Sequence, residues 1–186
     1  EGYIFYKQSR VGFKGKEFKI IKFATMLKNS PSIGTGTLTI DNDPRILPIG
    51  KFLRKTKINE LPQIINVLIG DMSIIGPRPQ TQRCFNAFPV RAQKLIVGVR
   101  PGLSGIGSIV FRDEEKLISS HNGDKHKYYE EFIAPYKGEL ELWYQNKSSL
   151  FLDIGIVFFT LWVIFFPKSN ILFRVFKNLP KKPDHL

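Results

Sequence analysis

The chain has 186 residues, enough for one domain with a substantial hydrophobic core. Its formal net charge of +12 predicts a polyanionic partner: nucleic acid, anionic lipid or a phosphorylated substrate. The single cysteine, Cys84, excludes an intramolecular disulfide and a cysteine-cluster metal site. The 16 phenylalanines cluster toward the C-terminal third, in apolar runs rather than among basic residues, which favours a membrane surface over nucleic acid.

The N-terminal segment predicts a β-hairpin. Residues 3–10 and 17–23 alternate loosely and are rich in aromatic and β-branched side chains, with a glycine-containing turn between them. Lys19 and Lys22 lie on the second strand. Two interpretations remain open: both are solvated lysines that protect a sheet edge, or Lys22 contacts substrate phosphates.

A loop and a helix are predicted next. Residues 29–42 are rich in Pro, Gly, Ser and Thr, which is typical of a loop. Asp43 followed by Pro44 predicts a helix start, with the helix running to Lys55 and a break or kink at Pro48. The basic side chains of this helix either form its solvated face or, in the case of Arg54, contact substrate. They are Arg45, Lys51, Arg54 and Lys55.

A second helix is predicted after Asn59, which is a good N-cap residue, with Glu60 favourably placed near the positive end of the helix dipole. Gly70 occupies the position of a C-terminal capping glycine. Apolar residues at i, i+3, i+4 and i+7 form one face of this helix: Leu61, Ile64, Ile65 and Leu68. A carboxylate at a helix start among nearby basic residues predicts a site for phosphates and a metal ion.

Two arginines are fixed beside prolines. Arg78 lies between Pro77 and Pro79, and because proline restricts the backbone, its guanidinium is suited to bidentate contact with a phosphate. Alternatively, Arg78 forms a structural ion pair with Asp71 or Glu60, and this role is compatible with contact to a phosphate. Arg100 precedes Pro101-Gly102, and the glycine-rich residues 104–108 either approach a ligand or form an ordinary loop.

Helices are predicted over residues 81–98, interrupted near Pro89, and within residues 111–149, with breaks at Asn122-Gly123 and Pro135. His121 and His126 lack the i, i+4 spacing of a helical metal pair, so we expect both to be solvated.

The segment Leu150–Phe166 is the most hydrophobic in the chain. Its 17 residues are at the lower limit for a spanning helix, and Asp153 lies within it. Basic residues follow among Phe and Leu. We therefore favour a helix in the bilayer interface, with a transmembrane helix and a buried core helix as alternatives.

Four segments together resemble the bacterial sugar transferases, the monotopic phosphoglycosyl transferases. They are FKIIKFATM (residues 18–26), DPRILPIGKFLRK (43–55), FLRKTKINELPQIINVLIGDMSIIGPRP (52–79) and VRPGLSGIGS (99–108). They occur in the family's order and cover most of residues 3–110. The resemblance implies transfer of a sugar-1-phosphate from a UDP-sugar to polyprenol (undecaprenyl) phosphate with release of UMP, the initiating step of exopolysaccharide, capsule, O-antigen or glycan synthesis.

The resemblance also implies the catalytic residues. In the family, the aspartate of an Asp-Glu pair attacks the sugar-bearing phosphate, whereas this chain reads Asn59-Glu60. An amide is neutral and weakly nucleophilic, so Asn59 cannot take that role. Three explanations remain open. Glu60 is the nucleophile; the chain is a non-catalytic membrane-bound member that binds nucleotide sugar or partners without turnover; or Asp41, Asp43 or Asp71 has replaced the aspartate.

By the same resemblance, Glu60 is expected to bind Mg²⁺, and a set of residues is expected to hold the substrate diphosphate. These are Lys22, Arg54, Arg78, Pro79, Arg100 and Gly102. Lys22 matches the lysine of the family's KF-x-TM segment.

The expected fold is α+β, a mostly helical single domain with an N-terminal β-hairpin and membrane-interfacial amphipathic helices. Residues 1–148 would form the catalytic part and residues 149–186 an apolar and basic membrane-associated segment of the same domain. The expected partners are a UDP-sugar, polyprenol phosphate and membrane lipid, and not nucleic acid. The expected location is the cytoplasmic face of the bacterial inner membrane. Because the chain begins at Glu1, we expect a fragment without the hydrophobic segment that opens most family members.

Overall fold

The computed structural model describes residues 3–36, 38–166, 169 and 171–183 and confirms an α+β fold with an N-terminal hairpin. Strands β1 (Phe5–Val11) and β2 (Glu17–Phe23) pair antiparallel, with Tyr6 opposite Lys22. A 3₁₀ turn, Phe13–Gly15, connects them. The alternation of the sequence therefore predicted this element correctly.

The helix expected from Asp43 starts later. Helix α1 spans Pro48–Lys55, so Pro48 opens the helix rather than breaking it. Asp43 does not cap a helix, because its carboxylate accepts hydrogen bonds from the guanidinium and backbone N–H of Arg45. Arg45 is 3% exposed and also donates to carbonyls of the 30–38 loop, so the expectation of a solvated Arg45 was wrong. A charge is stable there because every donor finds an acceptor.

The second predicted helix also begins differently. A 3₁₀ turn, Ile58–Glu60, follows Lys57, which has a left-handed backbone (φ 60°), and helix α2 spans Gln63–Leu68. Asn59 lies buried inside the 3₁₀ turn and does not act as the N-cap, which corrects that prediction. Gly70 adopts φ 86° after the helix, as a C-terminal glycine should.

The apolar face of α2 does not join the core. Its side chains are exposed to between 44% and 80%: Leu61, Ile64, Ile65 and Leu68. The periodicity identified the face correctly but did not reveal what covers it. An unpartnered apolar face of this size marks a surface for another molecule or a membrane.

Two short strands form a second, parallel sheet. Strand β3 (Ser73–Ile75) pairs with β4 (Gly102–Ser104), which the sequence suggested only as a glycine-rich loop. A Cβ atom on Gly102 would lie 2.2 Å from the backbone nitrogen of Gly76. Glycine is therefore required where the segment carrying Arg78 crosses β4.

The remaining helices follow the predicted pattern with one exception. Helices α3 (Gln82–Asn86) and α4 (Val90–Val97) flank the predicted interruption. Pro135 does not break its helix, because a π-helical turn, Tyr129–Ile133, leads continuously into α8 (Ala134–Lys147). The π-helical turn directly before Pro135 departs from the α-helical hydrogen-bond pattern at the point where the chain meets a residue without a backbone N–H. In chain order, three helices lie between β4 and the π-helical turn: α5 (Ile106–Val110), α6 (Glu114–Ser120) and α7 (Lys125–Tyr128). The expected break falls before α7.

Helix α9 (Leu150–Phe165) packs on the domain by one face and leaves the other bare. Ile156, Phe159 and Val163 enter the same core as α4, α5 and α8, and α10 (Ile171–Val175) adds Leu172. The opposite face exposes large apolar side chains along the whole helix, including Phe151, Phe158 and Phe165. Among the described residues, no helix combines the length and apolarity needed to cross a bilayer.

Candidate active site

The centre of the site is the carboxylate of Glu60. Arg78 donates to both of its oxygens, through Nη1 to Oε2 at 3.1 Å and through Nη2 to Oε1. Lys22 donates from Nζ to Oε1 at 3.3 Å. The structure therefore brings together three residues that were predicted to act in one site: Lys22, Glu60 and Arg78.

Three separate elements bring these groups together. Strand β2 places Lys22 on the hairpin face that contacts the 3₁₀ turn carrying Glu60. The left-handed Lys57 turns the chain at the end of α1, so Glu60 faces the hairpin. Arg78 approaches on the rigid Pro77–Pro79 segment that follows β3, and Pro79 itself accepts a hydrogen bond from Arg10 at 3.2 Å.

The local electrostatics favour a bound anion. Burial opposes ionisation of Glu60, but attraction to Arg78 and Lys22 outweighs it and holds the pKa of this carboxyl well below its usual range. Glu60 raises the pKa of Arg78 in return. Burial, together with repulsion from Arg78, lowers the pKa of Lys22 to about 7 despite Glu60, and burial also lowers the pKa of Lys57. One carboxylate thus faces more cations than it neutralises.

These groups line a cavity of about 630 Å³ that extends from the hairpin to α6. Arg54 lines it and forms an ion pair with Glu115 of α6, while its Nε finds no hydrogen-bond partner among the described residues. Arg10 also lines the cavity, and its Nε likewise has no partner within residues 3–36, 38–166, 169 and 171–183. Buried guanidinium N–H groups without partners are suited to donate hydrogen bonds to an anionic ligand.

Asn59 also borders the cavity. It is buried, and no group in the described part of the chain forms a hydrogen bond with its Oδ1. Of the alternative carboxylates, Asp41 lines the same cavity, whereas Asp43 is held by Arg45 and Asp71 accepts a hydrogen bond from Asn66. Neither Asp43 nor Asp71 lines the cavity, so the geometry leaves Glu60 and Asp41 as carboxylates of that set within it.

Three residues of the predicted set lie outside the cavity lining. Arg100 is exposed and is not brought to Glu60, although the resemblance placed it in the same pocket. Gly102 supports the site indirectly, since its lack of a side chain lets β4 pack against Gly76. Pro79 is buried and restricts the backbone beside Arg78.

Several charged residues of the site were not predicted from the sequence. Arg112, Glu114 and Glu115 follow α5 and line the cavity, and Lys137 of α8 donates to both oxygens of Glu114 at 2.7 and 2.8 Å. Their signal was a dense run of charges, Arg112 to Lys116, directly after a glycine-rich segment. Such a run usually marks a solvated helix, and only the packing of α8 against it shows otherwise.

The donor set fits a magnesium ion only in a limited way. Among the described residues, no group of three or more His, Cys, Asp or Glu side chains could hold a metal ion. Both oxygens of Glu60 are already engaged, so a metal there would gain one carboxylate edge and take its other ligands from a substrate. Mg²⁺ commonly binds in this manner, through one or two carboxylates plus phosphate oxygens.

The chain resembles known proteins along most of its length. The bacterial sugar transferase family model matches residues 1–167. A UDP-N-acetylgalactosamine-undecaprenyl-phosphate N-acetylgalactosaminephosphotransferase of Aeromonas hydrophila is 35% identical over 88% of this chain and 36% of its own length. A UDP-glucose:undecaprenyl-phosphate glucose-1-phosphate transferase of Escherichia coli (strain K12) is 35% identical over 90% of this chain and 34% of its own length.

A shorter relative, the exopolysaccharide production protein ExoY of Sinorhizobium fredii, is 30% identical over 86% of this chain and 69% of its own length. The chain therefore spans about a third of the length of the first two relatives and about two thirds of the third. A match of this extent is sufficient to assign the family. The chain belongs to the bacterial sugar transferase family.

Proposed function

We propose that this chain transfers a sugar-1-phosphate from a UDP-sugar to polyprenol phosphate, with release of UMP. The observation that carries the proposal is the carboxylate of Glu60, surrounded by Lys22, Lys57 and Arg78 in a cavity large enough for a nucleotide diphosphate. The names of the Aeromonas and Escherichia relatives, which specify UDP-sugars and undecaprenyl phosphate, support the same reaction.

In the proposed chemistry, Glu60 is the nucleophile. One carboxylate oxygen attacks the sugar-bearing phosphorus, the bond from that phosphorus to the bridging oxygen breaks, and UMP leaves with the bond electrons. A phosphate oxygen of the polyprenol phosphate then attacks the same phosphorus and releases the Glu60 carboxylate. Lys22 and Arg78 neutralise the charge that develops on the phosphoryl oxygens, which is the main demand of phosphoryl transfer.

Magnesium is part of the proposal because Glu60 offers one carboxylate edge and the diphosphate offers the rest of the ligands. Glu60 would hold Mg²⁺ together with phosphate oxygens of the substrate, and the ion would supply positive charge that offsets the charge on the leaving UMP. We expect the contact with Lys22 to open when Glu60 attacks the phosphorus. At 3.3 Å it is the longest of the contacts that hold the Glu60 carboxylate, and the incoming phosphates can replace it as partner of Lys22.

Membrane association is proposed from the exposed apolar surface. Helices α2 and α9 expose apolar side chains on the flank of the domain that bears β3, and Ile74 of β3 is exposed between them. This surface suits the interface of a bilayer, where a lipid-linked acceptor resides. Basic residues that follow α9 would lie near anionic headgroups: Arg174, Lys177, Lys181 and Lys182. The location at the cytoplasmic face of the bacterial inner membrane belongs to this proposal.

The experiment is a turnover assay in detergent or nanodiscs, with labelled UDP-sugars, polyprenol phosphate and Mg²⁺. We expect release of UMP and formation of a lipid-linked sugar diphosphate, both prevented by EDTA. Absence of both products across a panel of UDP-sugars contradicts the proposal, and nucleotide-sugar binding without turnover identifies a non-catalytic member.

Two variants locate the nucleophile. Glu60→Gln removes the attacking oxygen and is expected to lower UMP release by at least about 10³-fold. Asn59→Asp places a second carboxylate beside it. No gain in rate with Asn59→Asp supports Glu60 as nucleophile, whereas a large gain, together with residual activity of Glu60→Gln, contradicts it.

A further inference from the structure

The ion pair between Arg54 and Glu115 lies in the wall of the cavity of about 630 Å³ and joins two helices that are distant in sequence. Nη2 of Arg54, in α1, donates to Oε1 of Glu115, in α6. The side chain of Arg54 is 21% exposed and that of Glu115 is 43% exposed. A partly exposed pair contributes little to folding, because water screens the attraction and two long side chains lose conformational freedom. Its place in the cavity wall points instead to a role in ligand binding.

Helix α6 is held in place by other contacts. Ile118 is 2% exposed and belongs to the hydrophobic core. The hydroxyl of Ser119 accepts a hydrogen bond from the backbone N–H of Asp41 at 2.6 Å. Glu114 accepts hydrogen bonds from Lys137 of α8 through both carboxylate oxygens. The helix therefore keeps its position when the ion pair between α1 and α6 opens.

The guanidinium of Arg54 is only partly satisfied by this pair. Nε and Nη2 form one edge of the planar group, a fork that matches two oxygens of a phosphate. Glu115 engages Nη2, whereas Nε has no hydrogen-bond partner among the described residues. Nη1 contacts the sulfur of Met26 at 3.9 Å, and a thioether is a weak acceptor. A phosphate that takes both donors of the Nε and Nη2 edge therefore binds Arg54 more fully than Glu115 does.

The carboxylate of Glu115 acts on other cations besides Arg54. Burial lowers the pKa of Lys57, and the charges of Glu60 and Glu115 oppose this shift. Glu60 raises the pKa of Arg78, and Glu115 adds to that effect. Lys57 and Glu115 also line a second cavity, of about 350 Å³, that adjoins the first at Glu60. When Glu115 leaves Arg54, its carboxylate therefore keeps nearby cations and has space to move.

From this geometry we infer that Glu115 is a positioning residue that acts through Arg54 as an exchangeable counter-ion. Before the donor binds, Glu115 holds Arg54 at the cavity wall. A phosphate group of the UDP-sugar then takes the Nε and Nη2 edge of Arg54, and Glu115 moves toward Lys57. Once UMP is the remaining ligand, Glu115 competes with it for Arg54 and favours its release. This inference rests on the proposed function and assigns Glu115 to the control of nucleotide affinity.

The test compares Glu115→Gln with Glu130→Gln. Glu130 forms an ion pair with Arg83, its side chain is 45% exposed, and it does not line the cavity. Both substitutions raise the net charge by one, so the control accounts for any general effect of charge. We expect Glu115→Gln to bind UMP about threefold more tightly in calorimetry, the factor typical of one partly exposed ion pair. Glu130→Gln should bind UMP like the wild type, and uridine, which has no phosphate, should bind equally to all three proteins.

A double-mutant cycle shows whether Glu115 acts through Arg54. It is measured at about 0.3 M salt, where repulsion over longer distances is screened. In a protein that carries Arg54→Met, the further change Glu115→Gln is expected to leave the affinity for UMP unchanged. The same gain with and without Arg54, or an equal gain in Glu130→Gln, overturns the inference. So does an unchanged or weaker affinity of Glu115→Gln, and a weaker one would mean that Glu115 fixes the orientation of Arg54.

Pyrophosphate separates this inference from the proposed function, because it supplies a diphosphate without uridine or sugar. Tighter pyrophosphate binding by Glu115→Gln, in a protein that does not bind UMP, supports the counter-ion role and contradicts the UDP-sugar substrate. Tighter UMP binding by Glu115→Gln in a protein without turnover contradicts the proposed catalysis and leaves the inference supported. Absence of binding of both ligands overturns the inference.

Discussion

Glu141 allows a sharp test of how burial sets the charge state in this domain. The change is Glu141→Gln, which keeps the shape of the side chain and its acceptor for the Gly107 N–H. Burial raises the pKa of Glu141 from 4.5 to about 7, against the opposing attraction of Lys137. At about 1.4 kcal/mol per pKa unit, ionising the buried carboxyl lowers the free energy of unfolding by about 3 kcal/mol.

The sign of the effect follows from the two states. Below pH 4.5 both the folded and the unfolded forms carry a neutral Glu141, and the stabilising contribution is fully present. As pH rises toward 7, the unfolded form releases its proton first, so the wild type loses stability until the folded form also ionises. Glu141→Gln lacks this loss. We therefore expect the variant to gain about 3 kcal/mol relative to the wild type between pH 4.5 and pH 7.5 or so.

The assay is urea unfolding in detergent, followed by tryptophan fluorescence, at several pH values from about 4 to 8. Glu139→Gln, on the exposed side of the same helix, is the control and should show no comparable pH-dependent gain. Parallel stability curves for the wild type and Glu141→Gln across this range would refute the reasoning, because they would mean that the buried carboxyl titrates normally.

Three further substitutions test separate parts of the structure. Lys22→Met removes one cation from the diphosphate site and is expected to weaken UDP-sugar binding by about tenfold or more in calorimetry, with unchanged thermal stability as evidence of folding. Arg45→Met leaves a buried Asp43 carboxylate and several loop carbonyls unpaired, so we expect a loss of about 3–5 kcal/mol in urea unfolding. Lys51→Met is the control, and a loss of unfolding free energy in Arg45→Met as small as that in Lys51→Met would contradict this expectation. Gly102→Ala forces a Cβ onto the backbone of the neighbouring segment and should lower both stability and activity, and wild-type behaviour would show that β4 does not support Arg78.

The site was partly predictable because some of its residues carry local signals. Lys22 belongs to a strand with clear alternation, and Arg78 lies between two prolines that restrict its backbone. The contact of both with Glu60 depends instead on how the hairpin, the 3₁₀ turn and β3 pack, over sequence separations of 38 and 18 residues. The resemblance to the family bridged that gap for Lys22 and Arg78. It did not do so for Arg100, which is exposed and does not line the cavity.

The amino-acid sequence alone determined the hairpin, the position of most helices, the glycine after α2 and the presence of a long apolar segment. Each of these depends on neighbouring residues, through backbone preference or the periodicity of apolar side chains. Only the tertiary structure decided that Arg45 is buried, that the apolar face of α2 is bare and that Glu141 borders a cavity next to Glu60. These outcomes depend on which distant groups pack against each residue, and a one-dimensional pattern does not distinguish an apolar face that meets protein from one that meets lipid.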